Sequence, residues 1–394
     1  MTASAKLYHQ DPLLHDFEAT VVAHGRFGEQ ASVVLDRTAF YPESGGQMAD
    51  RGTLAGAAIR DVQIDDADVI HHIVDGPLPG LGASVAGTID RARRRVHMAL
   101  HTGQHMLSRA LVDVARAETV SSRLGETACT IDVDLAKVEE RDLARAEDLV
   151  NAVIDDDAPI RAFFPEAAEL AALPLRRQPK VTSNIRVVAI GDFDVSPCGG
   201  THCLRTAQVG FVRLTSVERY KGKIRVSFAA GRRARDDLSH SAQILVGLGR
   251  DLTCGPAEVP AAIAKLRGEL KDAREHLGLA RARLMGRLAE GLLAEGQPIV
   301  AALLDGADAD VEALRILGKR ISVEPGRVAL LAATGTEGIY VLAARGAGAT
   351  FDCGAFVKKL AAAHGGRGGG SPERAEGRLP LGAVDATSWR ALAT

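Results

Sequence analysis

The chain has 394 residues, 46% hydrophobic and 25% charged, a mix that suits two or three cored globular domains. No apolar run reaches the roughly 18 residues of a membrane span, and residues 1–20 carry charges and histidines where a signal peptide needs an apolar core. The net charge of −2 offers no bulk case for nucleic acid, and five cysteines without an export signal argue against a disulfide framework. The expected setting is the cytoplasm, with no membrane partner.

Between about residues 20 and 90, short apolar runs at 31–35, 57–64 and 69–74 alternate with Gly, Pro and Asp turns. They predict the strands of a small β-barrel. Asp90 then caps a predicted helix from Arg91 to about residue 117. Its first residues, RARRR (91–95), form one of three basic clusters; the others are 176–180 and 232–235. Such runs are ordinarily solvated faces and gain meaning only beside a site. A second helix is expected over 138–155, then strands over 185–190, 210–216 and 223–229, an α+β texture.

From 260 to 294, Ile263, Leu270, Leu277 and Leu284 recur every seventh residue, with Leu266 and Ala273 in the alternate seam. This pattern fits a helix packed on its own domain, and equally a coiled coil that forms a homodimer. Gly296 and Pro298 end it. The remainder reads as α/β, with a hairpin over 328–332 and 339–343 and a glycine-dense stretch over 365–372. Four segments result, 1–90, 91–235, 236–296 and 297–394, in an α+β chain with a helical or coiled-coil connector.

The chemistry concentrates in the second segment. His101 and His105 lie four apart on a strongly helical stretch, which puts both imidazoles on one face, one turn apart. His97 shares that face, so spacing alone does not choose the pair. About ninety residues later comes SPCGGTH (196–202), where Pro197, Gly199 and Gly200 forbid a regular helix. Cys198 and His202 therefore belong to a tight loop. Two helical nitrogens with one sulfur and one nitrogen from a loop make a tetrahedral set that suits one Zn²⁺.

The runs HTGQHMLSRAL (101–111) and SPCGGTH (196–202) resemble the two signature motifs of the alanyl-tRNA synthetase editing domain and its free-standing relatives. TAFYPESGGQMADRG (38–52) is similar to the glycine motif of the small barrel that precedes that domain. GGRGGGSPERAEG (365–377) resembles the glycine motif of the DHHA1-type domain that ends alanyl-tRNA synthetases. Four landmarks in this order cover nearly the whole chain. The resemblance implies zinc ligands, and the catalytic centre, at His101, His105, Cys198 and His202, leaving His97 to packing. It also implies that Gly45, Gly46 and Gln47 face the substrate, and that no aminoacylation domain accompanies the editing domain. Two departures stand out: Cys203, an extra thiol that could compete for metal, and RTAQVG (205–210) in place of the usual Thr-Gly-Glu-Ile-Gly.

The implied activity is hydrolysis of the wrong amino acid, serine or glycine, from mischarged tRNA(Ala). A zinc ion would lower the pKa of water and polarise the ester carbonyl. Four protein ligands leave no position for water, so either one ligand is loose or the metal chiefly orients substrate. A pocket that hydrogen-bonds the serine hydroxyl would reject alanine. Thr119, Ser121 and Ser122 are candidates for it, unless their run is a helix-ending turn. Arg91 and Arg94 are candidates for acceptor-stem phosphates. Lys358, Lys359, Arg367 and the glycine stretch would approach tRNA elsewhere, unless that stretch is a flexible loop. Competing readings are a tRNA-binding module with a structural zinc, a metal-dependent phosphoesterase, and editing of a different mischarged tRNA.

Overall fold

The computed structural model describes residues 4–179, 181–306 and 309–393, and the chain divides into two compact units, 1–247 and 248–394. Lys180, the last residue of the 176–180 cluster, lies outside the described residues. Among those described, no helix is long and apolar enough to cross a membrane.

The first unit opens with six strands: β1 (Asp16–Phe27), β2 (Gln30–Leu35), β3 (Gly52–Leu54), β4 (Ala57–Ile64), β5 (Ile70–Val74) and β6 (Ser84–Ile89). They close as a barrel in the order β1-β2-β5-β4-β3-β6, which leaves no unpaired edge. In β1 and β6 exposed and buried residues alternate, so Phe17, Ala19, Val21, Val85 and Ile89 point inward to meet Leu35, Phe40, Leu54 and Ile70.

The barrel feeds directly into α1 (Arg91–Ala115), where the Asp90 side chain accepts a hydrogen bond from the Arg93 amide. Arg116 in the left-handed region ends it. This helix is covered on most of its surface from Arg94 to Leu111. One side packs on a four-stranded sheet ordered β12-β13-β8-β7, made of β7 (Thr119–Leu124), β8 (Cys129–Val133), β12 (Val212–Tyr220) and β13 (Lys223–Ala230). Another side packs on α2 (Glu140–Asp155), whose Leu143, Ala146, Val150 and Ile154 form the buried stripe of an amphipathic helix. A three-stranded sheet, β9 (Ile160–Phe163), β10 (Val187–Ile190) and β11 (Asp194–Pro197), completes the unit and delivers the chain to Cys198.

Two expectations change here. Residues 119–122 are not a helix-ending turn but the start of β7, paired with β8. Strand alternation sends the Ser121 side chain outward to Asp132, at 2.7 Å. Arg94 is not a surface cation. It is fully buried, with Nε and Nη2 on the Asp50 carboxylate and further bonds to the Pro12 and Ala39 carbonyls. A buried carboxylate at Asp50 holds it there, because either charge alone would be costly.

After the helices α3 (Ala167–Ala172) and α4 (Gly231–Asp251), a 36-residue helix in the second unit, α5 (Val259–Ala294), leads to a five-stranded sheet. The sheet order is β14-β15-β16-β18-β17, from β14 (Ile299–Leu304), β15 (Val328–Gly335), β16 (Gly338–Arg345), β17 (Arg367–Gly370) and β18 (Arg374–Leu379). Apart from Val259 at its start, α5 buries only its C-terminal end, at Met285, Gly286 and Ala289, against the helix Val311–Ser322 and this sheet. Leu270, Leu277 and Leu284 of the heptad seam are 49%, 57% and 48% exposed, so the seam is not covered by its own unit. The glycine-dense stretch is not a free loop: 367–370 pair antiparallel with 375–378 as an edge strand.

Buried histidines tie the barrel side of the first unit to pH. His72 is fully buried, donating from Nδ1 to the Val33 carbonyl while Nε2 accepts from the Thr38 hydroxyl. Burial lowers its pKa to about 4, and burial likewise lowers His9 and His97 to about 4. Because these folded values lie below the unfolded value near 6.5, the unfolded chain binds more protons between about pH 6.5 and 4. Stability should therefore be fully present above that window and fall through it. Calorimetric melting at pH 7.5 and 4.5 should show the transition of the 1–247 unit dropping by several degrees. Fluorescence of Trp389, the single tryptophan, follows the other unit separately.

Candidate metal centre

His101 and His105 sit one turn apart on α1, and Cys198 and His202 flank the loop that leaves β11. The fold brings these four together, with one ligand atom from each within 4.8 Å of all the others. The Cys198 sulfur lies 3.4 Å from His101 Nε2 and 3.3 Å from His202 Nε2. Donors around a tetrahedral zinc, with bonds of about 2.0–2.3 Å, stand about 3.3–3.8 Å apart. His105 Nε2 is buried without any hydrogen-bond partner. A buried nitrogen lone pair left open beside a thiolate is what a metal ligand requires.

Each imidazole is held from behind through Nδ1. His101 Nδ1 donates to Gln47 Oε1 at 2.7 Å, and the same oxygen accepts from the Thr201 amide while Gln47 Nε2 donates to the Thr201 hydroxyl. His105 Nδ1 meets the Ser196 hydroxyl at 2.9 Å, and His202 Nδ1 meets the Thr102 hydroxyl at 3.2 Å. All three Nε2 atoms are thereby turned to one point. His97, left open by spacing, is buried elsewhere, with Nδ1 toward the Met48 carbonyl. Cys203 is outside the cluster too, and burial raises its thiol to about 11, so it is a poor thiolate.

The loop itself is gripped by Arg186, whose Nη1 donates to the carbonyls of Cys198 and Gly200 at 3.0 and 2.9 Å. His9 Nε2 donates to the Gly199 carbonyl. Gly200 packs so closely that a Cβ there would collide with the His101 ring. That is the physical reason for one of the two glycines.

Burial by itself would raise the Cys198 thiol, yet the imidazoles of His101, His202 and His105 pull it well below its usual range. Burial lowers His101, and lowers His202 to about 3. For His105 burial also pulls downward, but the Cys198 charge and Asp194 outweigh it and raise the pKa. A thiolate among imidazoles is a donor set for a borderline-soft cation.

The remaining expected residues divide. The Ser44–Gln47 turn docks on the edge of β7: the Leu124 amide donates to the Gly46 carbonyl, and a Cβ on Gly46, at φ +89°, would press on the Ser122 carbonyl. Gln47 thus reaches the cluster, Gly46 lets it do so, and Gly45 faces open space. Thr119 donates to Ser108 Oγ, which also accepts from Gln104, one turn past His105 on α1. Ser121 points away. Arg94 is internal, and Arg91 is exposed and paired with Asp16. Sequence reasoning did not single out Thr102, Arg176, Arg186, Asp194 or Ser196. The signal for two of them was present: Asp194 and Ser196 lie two apart on a strand ending at Pro197, just before Cys198, hence on one face.

Residues 185–227, which include Cys198 and His202, match the family of the threonyl and alanyl tRNA synthetase second additional domain. Residues 11–93 match the class II (A) tRNA synthetases. The chain is 32% identical to the alanine–tRNA ligase of Archaeoglobus fulgidus over 403 residues, covering 96% of this chain and 42% of that protein. For the alanine–tRNA ligase of Natronomonas pharaonis the figures are 31%, 95% and 42%, so the chain spans well under half of these ligases. A solved C-Ala domain of the Aquifex aeolicus alanyl-tRNA synthetase covers 24% of this chain and 86% of its own, at 16% identity and a TM-score of 0.21, too low to carry an argument. The alanyl-tRNA editing protein AlaX-L of Pyrococcus horikoshii is 30% identical over 393 residues, covering 95% of this chain and 94% of its own. With that match running end to end, the chain belongs to the family of alanyl-tRNA editing proteins.

Proposed function

We propose that this protein is a trans-editing hydrolase that removes serine, and glycine less selectively, from mischarged tRNA(Ala). The observation that carries the reading is the convergence of three neutralisable imidazoles and one thiolate, with His105 Nε2 buried and unpartnered. Residues 91–235 would be the deacylase and 1–90 the barrel that supplies Gln47. Residues 236–296 would be a connector, and 297–394 a DHHA1-type tRNA-binding domain.

The donor set fits one Zn²⁺ held by His101, His105, Cys198 and His202. When bound, zinc supplies Lewis acidity toward the ester carbonyl and acidity to a water. The chain's own residues do the rest. Gln47 orients His101 and closes the barrel side of the centre. Gln104, Ser108 and Thr119 form a polar group beside His105 suited to a serine hydroxyl, whose loss in an alanyl ester would leave buried polar atoms unpaired. Arg177 donates to the Pro197 carbonyl and keeps an exposed guanidinium next to Cys198, where it suits a phosphate of the 3′ terminus better than the buried Arg94 does.

Ser-tRNA(Ala) should release serine rapidly with the zinc-loaded protein, while Ala-tRNA(Ala) should not. His101→Ala/His105→Ala should lose both bound zinc and release. Tight zinc binding with no hydrolysis of any mischarged tRNA would favour a binding module with a structural metal. In the second unit Lys358, Lys359 and Arg367 are all exposed. Replacing the three by Glu should raise KM on the order of tenfold and leave kcat intact, since phosphate contacts position without entering the chemistry. The uncovered leucine seam of α5 supports a coiled-coil homodimer through 260–294. Sedimentation should show a dimer that Leu277→Lys dissociates; a monomeric wild type at micromolar concentration removes this part.

A further inference from the structure

His105 is the one ligand whose support does not stop at a neutral group. Behind it runs a buried chain of three residues. His105 Nδ1 lies 2.9 Å from Ser196 Oγ, Ser196 Oγ donates to Asp194 Oδ2 at 3.1 Å, and Arg176 Nε donates to Asp194 Oδ1 at 2.7 Å. Arg176 Nη2 also reaches Asp194 Oδ2 at 3.3 Å and Ser196 Oγ at 3.5 Å. The Asp194 side chain is fully buried and that of Arg176 is 6% exposed.

The direction of each bond follows from valence. A carboxylate only accepts, so the single hydroxyl hydrogen of Ser196 goes to Asp194. Ser196 Oγ then has only lone pairs to offer His105, so Nδ1 carries the hydrogen. That leaves Nε2 as the lone pair, and Nε2 is the atom found buried without a partner. Asp194 stands 3.5 Å from His105 Nδ1, and Arg176 on its far side keeps the carboxylate charged and fixed in place.

We propose that Asp194, clamped by Arg176 and acting through Ser196, is a positioning residue that sets the tautomer and basicity of His105 toward a divalent cation at the His101, His105, Cys198 and His202 centre. Neither His101 nor His202 has such a carboxylate. Their Nδ1 atoms rest on Gln47 and Thr102, so His105 is the most electron-rich of the three imidazoles. Arg176 belongs to the 176–180 basic cluster, and its role is internal, whereas Arg177 lies at the surface. The proposal rests on reading this cluster as a metal centre.

The test is metal affinity and the visible spectrum of the cobalt-substituted full-length protein, with zinc measured by chelator competition. Asp194→Asn should weaken zinc by roughly 10–100-fold and shift the cobalt bands. Ser196→Ala should do the same, and the double variant should add little, because both act through one bond to His105. Ser196→Thr keeps the hydroxyl and should restore affinity close to wild type. If Asp194→Asn unfolds the chain, the Ser196→Ala and Ser196→Thr pair decides alone. Wild-type affinity and an unchanged spectrum in folded Asp194→Asn or Ser196→Ala would overturn the proposal while leaving the editing reading intact. A wild-type protein that binds neither zinc nor cobalt would overturn both.

Discussion

Four buried ligand atoms must face one another although each would prefer water, and the rest of the first unit is arranged to make that arrangement tolerable. Three imidazoles and a thiol in an apolar interior are costly unless every other polar atom on them is satisfied. Gln47 from the barrel motif, Thr102 from α1 and Ser196 from β11 each take one Nδ1. The three supports come from three different elements, so the centre exists only when the barrel, the long helix and the three-stranded sheet are assembled together.

This explains why the barrel is joined so firmly to α1. Asp50 and Arg94 form a fully buried ion pair exactly where the strand-rich part meets the helix, and Arg94 also binds the Pro12 and Ala39 carbonyls. Breaking either partner would strand a charge, so the junction has little freedom. The Ser44–Gln47 turn, joined to Asp50 through Met48 and Ala49, is held by the same junction and by its contact with β7. Rigid attachment of that turn is what lets a carboxamide on the barrel orient a histidine on the helix.

The metal ligands were legible in the linear chain because their chemistry depends on short-range spacing. Four residues on a helix and four across a glycine loop are local facts, and folding had only to bring the two pairs together. Basic residues were not legible in the same way. Arg91 and Arg94 lie in one run, three apart on the same side of the helix, and read alike, yet Arg91 opens the exposed first turn on Asp16 while Arg94, one turn on, is in the core on Asp50. Arg94, Met98, His101 and His105 share the inward face, a clue that charge counting overlooks. Ser121 and Ser122 differ because successive side chains of a strand point to opposite sides. The 176–180 cluster splits likewise, with Arg176 inside on Asp194 and Arg177 outside on Pro197.

Sequence alone determined the α+β character, three of the six barrel strands and the long helix that follows, the four ligand candidates and the family resemblance, since these rest on periodicity, turn chemistry and short motifs. Only the tertiary structure decided which of His97, His101 and His105 converge on the loop, and that residues 119–122 are a strand. It also decided that the glycine stretch pairs as a sheet edge, and that Asp194 and Ser196 stand behind His105. The first and last of those outcomes depend on partners about 90 residues away, and the other two on which neighbouring segment each strand pairs with. Spacing along a chain records neither until packing has chosen one face to bury.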